Sequence, residues 1–586
     1  MTFSPKSFGR FRQYAHLLPT LALTLIAVSF WPKTLYCQES NSLKPSAANA
    51  VKRQSLKDRM IECVQNGSAA YNSGDYFKSV EQYSQALDLG NDAPSTAYNA
   101  ACSAALSGQT DLAFGFLDIA IGLGWVDSRH LKNDSDLKTL QQDKRWSKIV
   151  EKTVATEKSI QTRWNSPAFR SAYSNNISDS EKAAGLAKLW SEIKYNFAHF
   201  DQVPGLDWDA VFVETLPKVL ETQSTLEYYR QMKQMVAKLN DGHTNVYLPR
   251  QLAATECSPG IATKLVEGKV IVVEIYDRSL EALGLRTGME LTKVDGIDVK
   301  KHVGANVSQF VCASTKQDRK QREFGRELLR GPLEQSVVLT VKSVEGVESE
   351  IAAKRESKMQ AQIRRYTQSP CKFKVLDENI GYLQLNSFSS KAVVTQFVAA
   401  FPKIRETSSL IIDLRKNGGG NSGYGWQILT HLSRQPIPTL PWHTLQYRPT
   451  MRAWGSQPVT RYAQGSRPFG SIKEEIYDQP VVVLVGAATY SAAEDMAAVF
   501  KQLGRGKIIG QATGGSTGQP LSFDLPGGGK ARVCTKHDFY PDGTEFVGFG
   551  IQPDMIVEPT IADLRSGVDT VVQTAIKELK EASQVR

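Results

Sequence analysis

The stretch VVVLVGAATYSAAEDMAAVF, residues 481–500, decides how the fold is read. Its first five residues are apolar and mostly β-branched, which suits a strand buried on both faces. Its last ten are alanine-rich and suit a helix. A short Gly-Ala-Ala-Thr-Tyr turn joins them, so Ser491 stands where a strand feeds into a helix. Upstream, the strand IGYLQLNSF (380–388), a helix over 393–404 and the strand SLIIDLR (409–415) repeat the alternation. Buried strands alternating with helices predict an α/β core with a largely parallel sheet over residues 370–565, followed by a terminal helix over 566–586.

Ser491 has two readings. Serine is a favoured helix N-cap, and Glu494 three residues on completes a capping box. The glycine run Gly418-Gly419-Gly420, at the end of a second strand, points to chemistry instead. Its bare backbone N–H groups and the amide of Ala492 at a helix N-terminus are the donors an oxyanion requires.

Working outward, residues 258–350 change to a strand period: KVIVVEI (269–275), GLRTGMELTKVDGIDV (284–299) and LLRGPLEQSVVLTVKSV (328–344). The order resembles a PDZ domain, in which a peptide adds as a strand at an open edge. It departs from that family by a charged insertion, KQDRKQREFGREL (316–328). Residues 160–250 read as a helical subdomain, with Leu189, Trp190, Ile193, Val211, Leu216 and Val219 at helical intervals, ending in LNDGHT (239–244). Residues 58–150 carry an internal repeat, with Gly74 matching Gly108 and Ala86 matching Ala120 at an offset of 34. That period resembles tetratricopeptide repeats, with Leu131, Leu137, Leu140 and Trp146 supplying a cap. The chain is therefore expected to be multidomain, α plus α/β.

Before the repeats, Lys6, Arg10 and Arg12 precede an apolar run from Leu17 to Trp31, an export signal or uncleaved anchor over residues 1–38. A polar tether follows over 39–57. The protein is expected to act outside the cytoplasm and to touch a membrane only through an uncleaved anchor. The net charge of +10 is spread among interleaved opposite charges, which excludes a nucleic-acid stripe. The seven cysteines are scattered without a Cys-x-x-Cys pair, so no zinc site, redox motif or other cofactor is expected.

The segments LNDGHT, DLRKNGGG (413–420), GAATYSAAEDMA (486–497), GKIIGQATGGSTG (506–518) and GFGIQPD (548–554) together resemble the C-terminal-processing and tricorn-type serine peptidases. The resemblance covers about residues 165–560 and implies a crotonase-like sheet in the core. It implies Ser491 as nucleophile and Gly418 or Gly419 with Ala492 as oxyanion donors. The C-terminal-processing branch takes its base from a lysine where Ser516 stands here, whereas the tricorn-type branch uses a histidine. Asp241-Gly242-His243-Thr244 resembles the latter motif and makes His243 the expected base, with His537 as rival.

A neutral imidazole accepts the serine proton near pH 7, and a third group orients it. The segment DGTEFVGFG (542–550) offers Glu545 and, behind it, Asp542; Val547 occupies the position nearest GIQPD where the family has glutamate. Asp241 is the alternative, with turn formation as its structural role. The expected activity is hydrolysis of peptide or protein substrates, with the repeats as a further site for a protein partner. Two other classes share these features: a binding module of the retinoid-binding type and a repeat-based scaffold.

Overall fold

The computed structural model describes residues 56–164, 166–355, 369–471 and 473–584. The expected export segment, and the tether except for its end, lie outside these residues. Two compact units divide the chain, Met1–Trp164 and Asn165–Arg586.

In the first unit, helices Leu56–Asn72 and Tyr76–Asp88 form one pair, and Pro94–Leu106 and Thr110–Gly122 the next. The matched glycines of the repeat make the two intervening reversals, Gly74 at φ +82 and Gly108 at φ +76. Ala86, Ala97, Ala100, Ala101 and Ala120 are fully buried between the helices, where larger side chains would hold them apart. Leu131, Leu137, Leu140 and Ile149 close the apolar face. The closing helix runs Trp146–Trp164, past the expected boundary at residue 150.

The second unit is built on a six-stranded sheet whose strands follow one another in chain order: Cys371–Leu376, Ile380–Leu385, Ser409–Asp413, Val481–Val485, Gly506–Gly510 and Met555–Ile556. The first pair is antiparallel and the others are parallel. The central strands are buried on both faces, and alternation assigns their side chains. Leu410, Ile412, Val481, Val483 and Val485 pack under helices Ala392–Arg405, Ser422–Leu429 and Ala492–Gln502. Ile411, Val482 and Leu484 pack with Val571, Ala575 and Leu579 of the terminal helix, Thr570–Gln584.

Helices Asp179–Asn196, Trp208–Leu220 and Thr225–Ala237 enclose a second core, which Leu525, Ala531 and Val533 from far along the chain also enter. Strand Asn245–Tyr247, which follows the DGHT turn, pairs antiparallel with Lys530–Arg532 in a separate three-stranded sheet completed by Pro520–Asp524. A separate antiparallel sheet contains Ile261–Val266, Lys269–Ile275, Glu290–Val294, Ser336–Lys342 and Glu348–Lys354 around its own core. The proline-bearing stretch after residue 435 forms a hairpin, Trp442–Tyr447 with Val459–Gln464. The six described cysteines are free thiols. Among the described residues, no helix is long and apolar enough to cross a membrane.

Candidate active site

Strand Val481–Val485 and helix Ala492–Gln502 hold Ser491 between them at φ 55 and ψ −125, outside the regions L-residues normally populate. Two contacts fix this turn from behind: Ser491 N donates to Glu494 Oε2 at 3.0 Å and lies 3.2 Å from the Ser516 carbonyl oxygen. Glu494 is fully buried and also accepts from Gly515 N (2.7 Å), Ser516 N (3.0 Å) and Thr513 Oγ1 (2.5 Å). Burial pushes its carboxyl up to about 7, against the pull of these donors. The capping glutamate thus ties the serine turn to the 511–518 loop.

His243 follows helix Thr225–Ala237, 248 residues away in sequence, yet its Nε2 is 3.2 Å from Ser491 Oγ. Its Nδ1 is 2.7 Å from Ser516 Oγ, and Ser516 Oγ in turn donates to Asp241 Oδ1 at 3.5 Å. One assignment of protons satisfies the chain: Ser491 O–H to Nε2, Nδ1–H to Ser516 Oγ, Ser516 O–H to Asp241. Asp241 also accepts from Thr244 Oγ1 (2.6 Å) and Ser314 Oγ (3.3 Å). Burial alone would raise its carboxyl, but His199, His243 and Thr244 outweigh that and hold it below the usual carboxylate range. Burial pushes His243 down to about 3; Asp241 opposes this, and the charges of Arg532 and Arg322 add to it. The imidazole is therefore neutral and able to accept a proton.

The ring of His243 stacks on Tyr490, centroids 5.1 Å apart, and the Arg322 guanidinium lies over Tyr490 at 5.2 Å. Arg322 belongs to the charged insertion, which forms helix Lys316–Gln321 and a wider turn after it. Thr315 Oγ1, just before the insertion, donates to Gly514 O, and Gln317 Nε2 within it to Thr513 O and Phe549 O, so this segment buttresses the site loops. Nothing in its sequence pattern signalled that role.

The glycine run meets Ser491 closely. Gly419 has φ +94, and a Cβ there would sit 2.7 Å from Ser491 Cβ. Its N–H, that of one of the two expected oxyanion glycines, is committed to Asn417 Oδ1 at 2.9 Å. A Cβ on Gly418 would meet open space, and neither Gly418 N nor Ala492 N has a partner among the described residues.

Glu545 does not reach His243. It hydrogen-bonds His537 Nε2 and is nearly half exposed, because its bridge with Phe539 turns it toward the outer hairpin sheet. Asp542 caps a solvent-exposed turn through Thr544 N, and Val547 is buried. His537, the rival base, is bound to Glu545 and stacks on His443 at 4.8 Å. Of the expected third groups only Asp241 joins His243, through Ser516. The signal for Ser516 was its place in the lysine position, read only as a lysine missing.

Residues 379–557 match the profile of peptidase family S41. The carboxyl-terminal-processing protease of a Picosynechococcus species is 25% identical over 395 residues, spanning 63% of this chain and 83% of that protein. The Synechocystis protease of the same name is 23% identical over 367 residues, spanning 60% and 76%. Among solved structures, mature CPAF complexed with lactacystin shares the fold, with TM-score 0.52 and 16% identity over 70% of this chain and 98% of that one. The chain thus carries a peptidase family S41 domain over residues 379–557, resembles carboxyl-terminal-processing proteases, and is a serine-type peptidase.

Proposed function

We propose that the peptidase attacks peptide bonds with Ser491 Oγ and uses His243 as general base, oriented by Ser516 and Asp241. The observation that carries this is the 3.2 Å contact between His243 Nε2 and a serine held at positive φ. As Oγ adds to the scissile carbonyl, its proton passes to Nε2, and the new imidazolium charge is met through Ser516 by the Asp241 carboxylate. The oxyanion is received by Gly418 N and Ala492 N, the two amides with no other described partner. Collapse returns the proton from Nε2 to the leaving amine, and water repeats the sequence on the acyl-enzyme. Neither a ligand-binding module nor a repeat scaffold requires this arrangement.

Steady-state cleavage of a peptide library tests the assignment. Ser491→Ala is expected to abolish turnover and His243→Ala to lower kcat by about 10³-fold or more, with the fold intact. Full activity in either variant would sink it.

Three coarser features complete the reading. The antiparallel sheet from Ile261 to Lys354 supports a PDZ-like module that receives substrate chain; deleting it should raise KM for proteins more than for short peptides. Paired helices with a 34-residue offset support a partner-binding role for the first unit, which fails if that unit captures no partner that the full chain captures. The basic and apolar N-terminus supports export; a reporter fused after residue 38 that stays in the cytoplasm would contradict it.

A further inference from the structure

Asp241 faces a second group of side chains that peptide hydrolysis leaves unused. His199, 1% exposed, follows helix Asp179–Asn196, and its Nδ1 lies 3.7 Å from Asp241 Oδ1. Among the described residues neither of its ring nitrogens has a hydrogen-bond partner. Cys534, fully buried, ends the strand Lys530–Cys534. One ligand atom from each of His199, Asp241 and Cys534 lies within 4.8 Å of the other two.

The backbone holds these three residues together before anything binds. Ala198 N donates to Cys534 O at 3.0 Å, which fixes His199 beside the strand. Cys534 N donates to Thr244 Oγ1 at 3.1 Å, and Thr244 Oγ1 donates to Asp241 Oδ2 at 2.6 Å, which fixes the carboxylate beside the thiol. A buried imidazole without a hydrogen bond at either nitrogen is costly, and here Nδ1 has only the Asp241 carboxylate at 3.7 Å while the ring contacts with Phe197 and His537 supply no acceptor for Nε2. A metal ion would satisfy one of them. Imidazole, carboxylate and thiolate together suit Zn²⁺ and exclude Mg²⁺ and Ca²⁺, which take oxygen ligands. Zinc–ligand bonds of about 2.0–2.3 Å require the three atoms to close by roughly an ångström, within the reach of side-chain rotation.

We propose that His199, Asp241 and Cys534 form a site for Zn²⁺ or a similar borderline-soft divalent cation, and that filling it switches the peptidase off. The thiol releases its proton to solvent as the metal–sulfur bond forms, and water completes the coordination. Bound to the metal, Asp241 is withdrawn from Ser516, and His243 loses the carboxylate at the end of its chain. The switch rests on the relay proposed above; the site does not.

The test has two readouts on the full chain. Co²⁺ titration should give one bound ion with a thiolate-to-cobalt charge-transfer band, lost in Cys534→Ala and in His199→Phe. Zn²⁺ should inhibit peptide cleavage reversibly by chelator, with at least about tenfold more metal needed in Cys534→Ala. Thermal unfolding checks that both variants fold, and if one does not, the other decides. Absence of the band in the wild type, or its survival in a folded variant, overturns the site. A band without Zn²⁺ inhibition overturns the switch alone, and equal inhibition of wild type and folded Cys534→Ala places the zinc effect elsewhere and overturns it too.

Discussion

Ser491 at φ 55 costs an L-residue about 1–3 kcal/mol of backbone energy, a cost that Glu494 and the Ser516 carbonyl offset by holding its amide. The conformation lifts Oγ off the helix start toward His243. Ser516→Ala would leave Nδ1–H without its acceptor, and kcat is expected to fall about 10²-fold with KM little changed. The pH profile is a separate check. A base works when deprotonated, and burial lowers the folded pKa of His243 from 6.5 to about 3, so the acid limb of kcat/KM should lie well below 6.5. The same shift stabilises the fold fully above pH 6.5, and that contribution is lost as pH falls toward 3. The stability difference between the wild type and His243→Phe should therefore narrow on acidification. Ser491, His243 and Asp241, which the structure brings together, each sit in a short local motif that sequence reading can single out. Ser516 was not legible, because its role appears only once a turn 273 residues away is folded against it. Glu545 misled because proximity in sequence to the family's acidic position does not say which way a strand-edge side chain points.

At the scale of elements, Glu494 joins the N-terminus of helix Ala492–Gln502 to the loop after strand Gly506–Gly510, accepting from three backbone amides and a threonine. Glu494→Ala would strand these buried donors, and urea unfolding should show a loss of about 3 kcal/mol or more. Gly419 separates the second strand-to-loop junction from the serine. Gly419→Ala places a methyl against Ser491 at a φ that disfavours it and should lower kcat at least about 10²-fold, whereas Gly418→Ala meets open space and should leave Tm unchanged. The strands Ile380–Leu385, Ser409–Asp413 and Val481–Val485 of the large sheet were legible from apolar runs alternating with helices, whereas Cys371–Leu376, Gly506–Gly510 and Met555–Ile556 carry no such run. The hairpin from Trp442 to Gln464 was not legible, because its outer strand Val459–Gln464 is largely exposed and carries no buried alternation. The charged insertion read only as a departure from a PDZ pattern, yet Arg322 and Gln317 pack onto the site loops.

Across the whole molecule, the hydrogen-bond partners of Ser491 and His243 among the described residues lie within the unit Asn165–Arg586. Removal of residues 1–164 is therefore expected to leave cleavage of short peptides within about twofold of the full chain and the unfolding transition of the remainder in place. Loss of short-peptide cleavage by a folded remainder would assign the first unit a part in the chemistry. The repeat offset and the alternation of strands and helices made both units legible in outline. The boundary at Trp164 was not, since the closing helix continues without a break in composition past residue 150.

The most direct measurement is mass-spectrometric mapping of a fluorophosphonate adduct on the full chain, because this reagent reports a serine hydroxyl activated by its base. The account expects one adduct, on Ser491, absent from Ser491→Ala and formed at least about 10²-fold more slowly in His243→Ala. No adduct on the folded chain, or an adduct that forms as fast without His243, would contradict it.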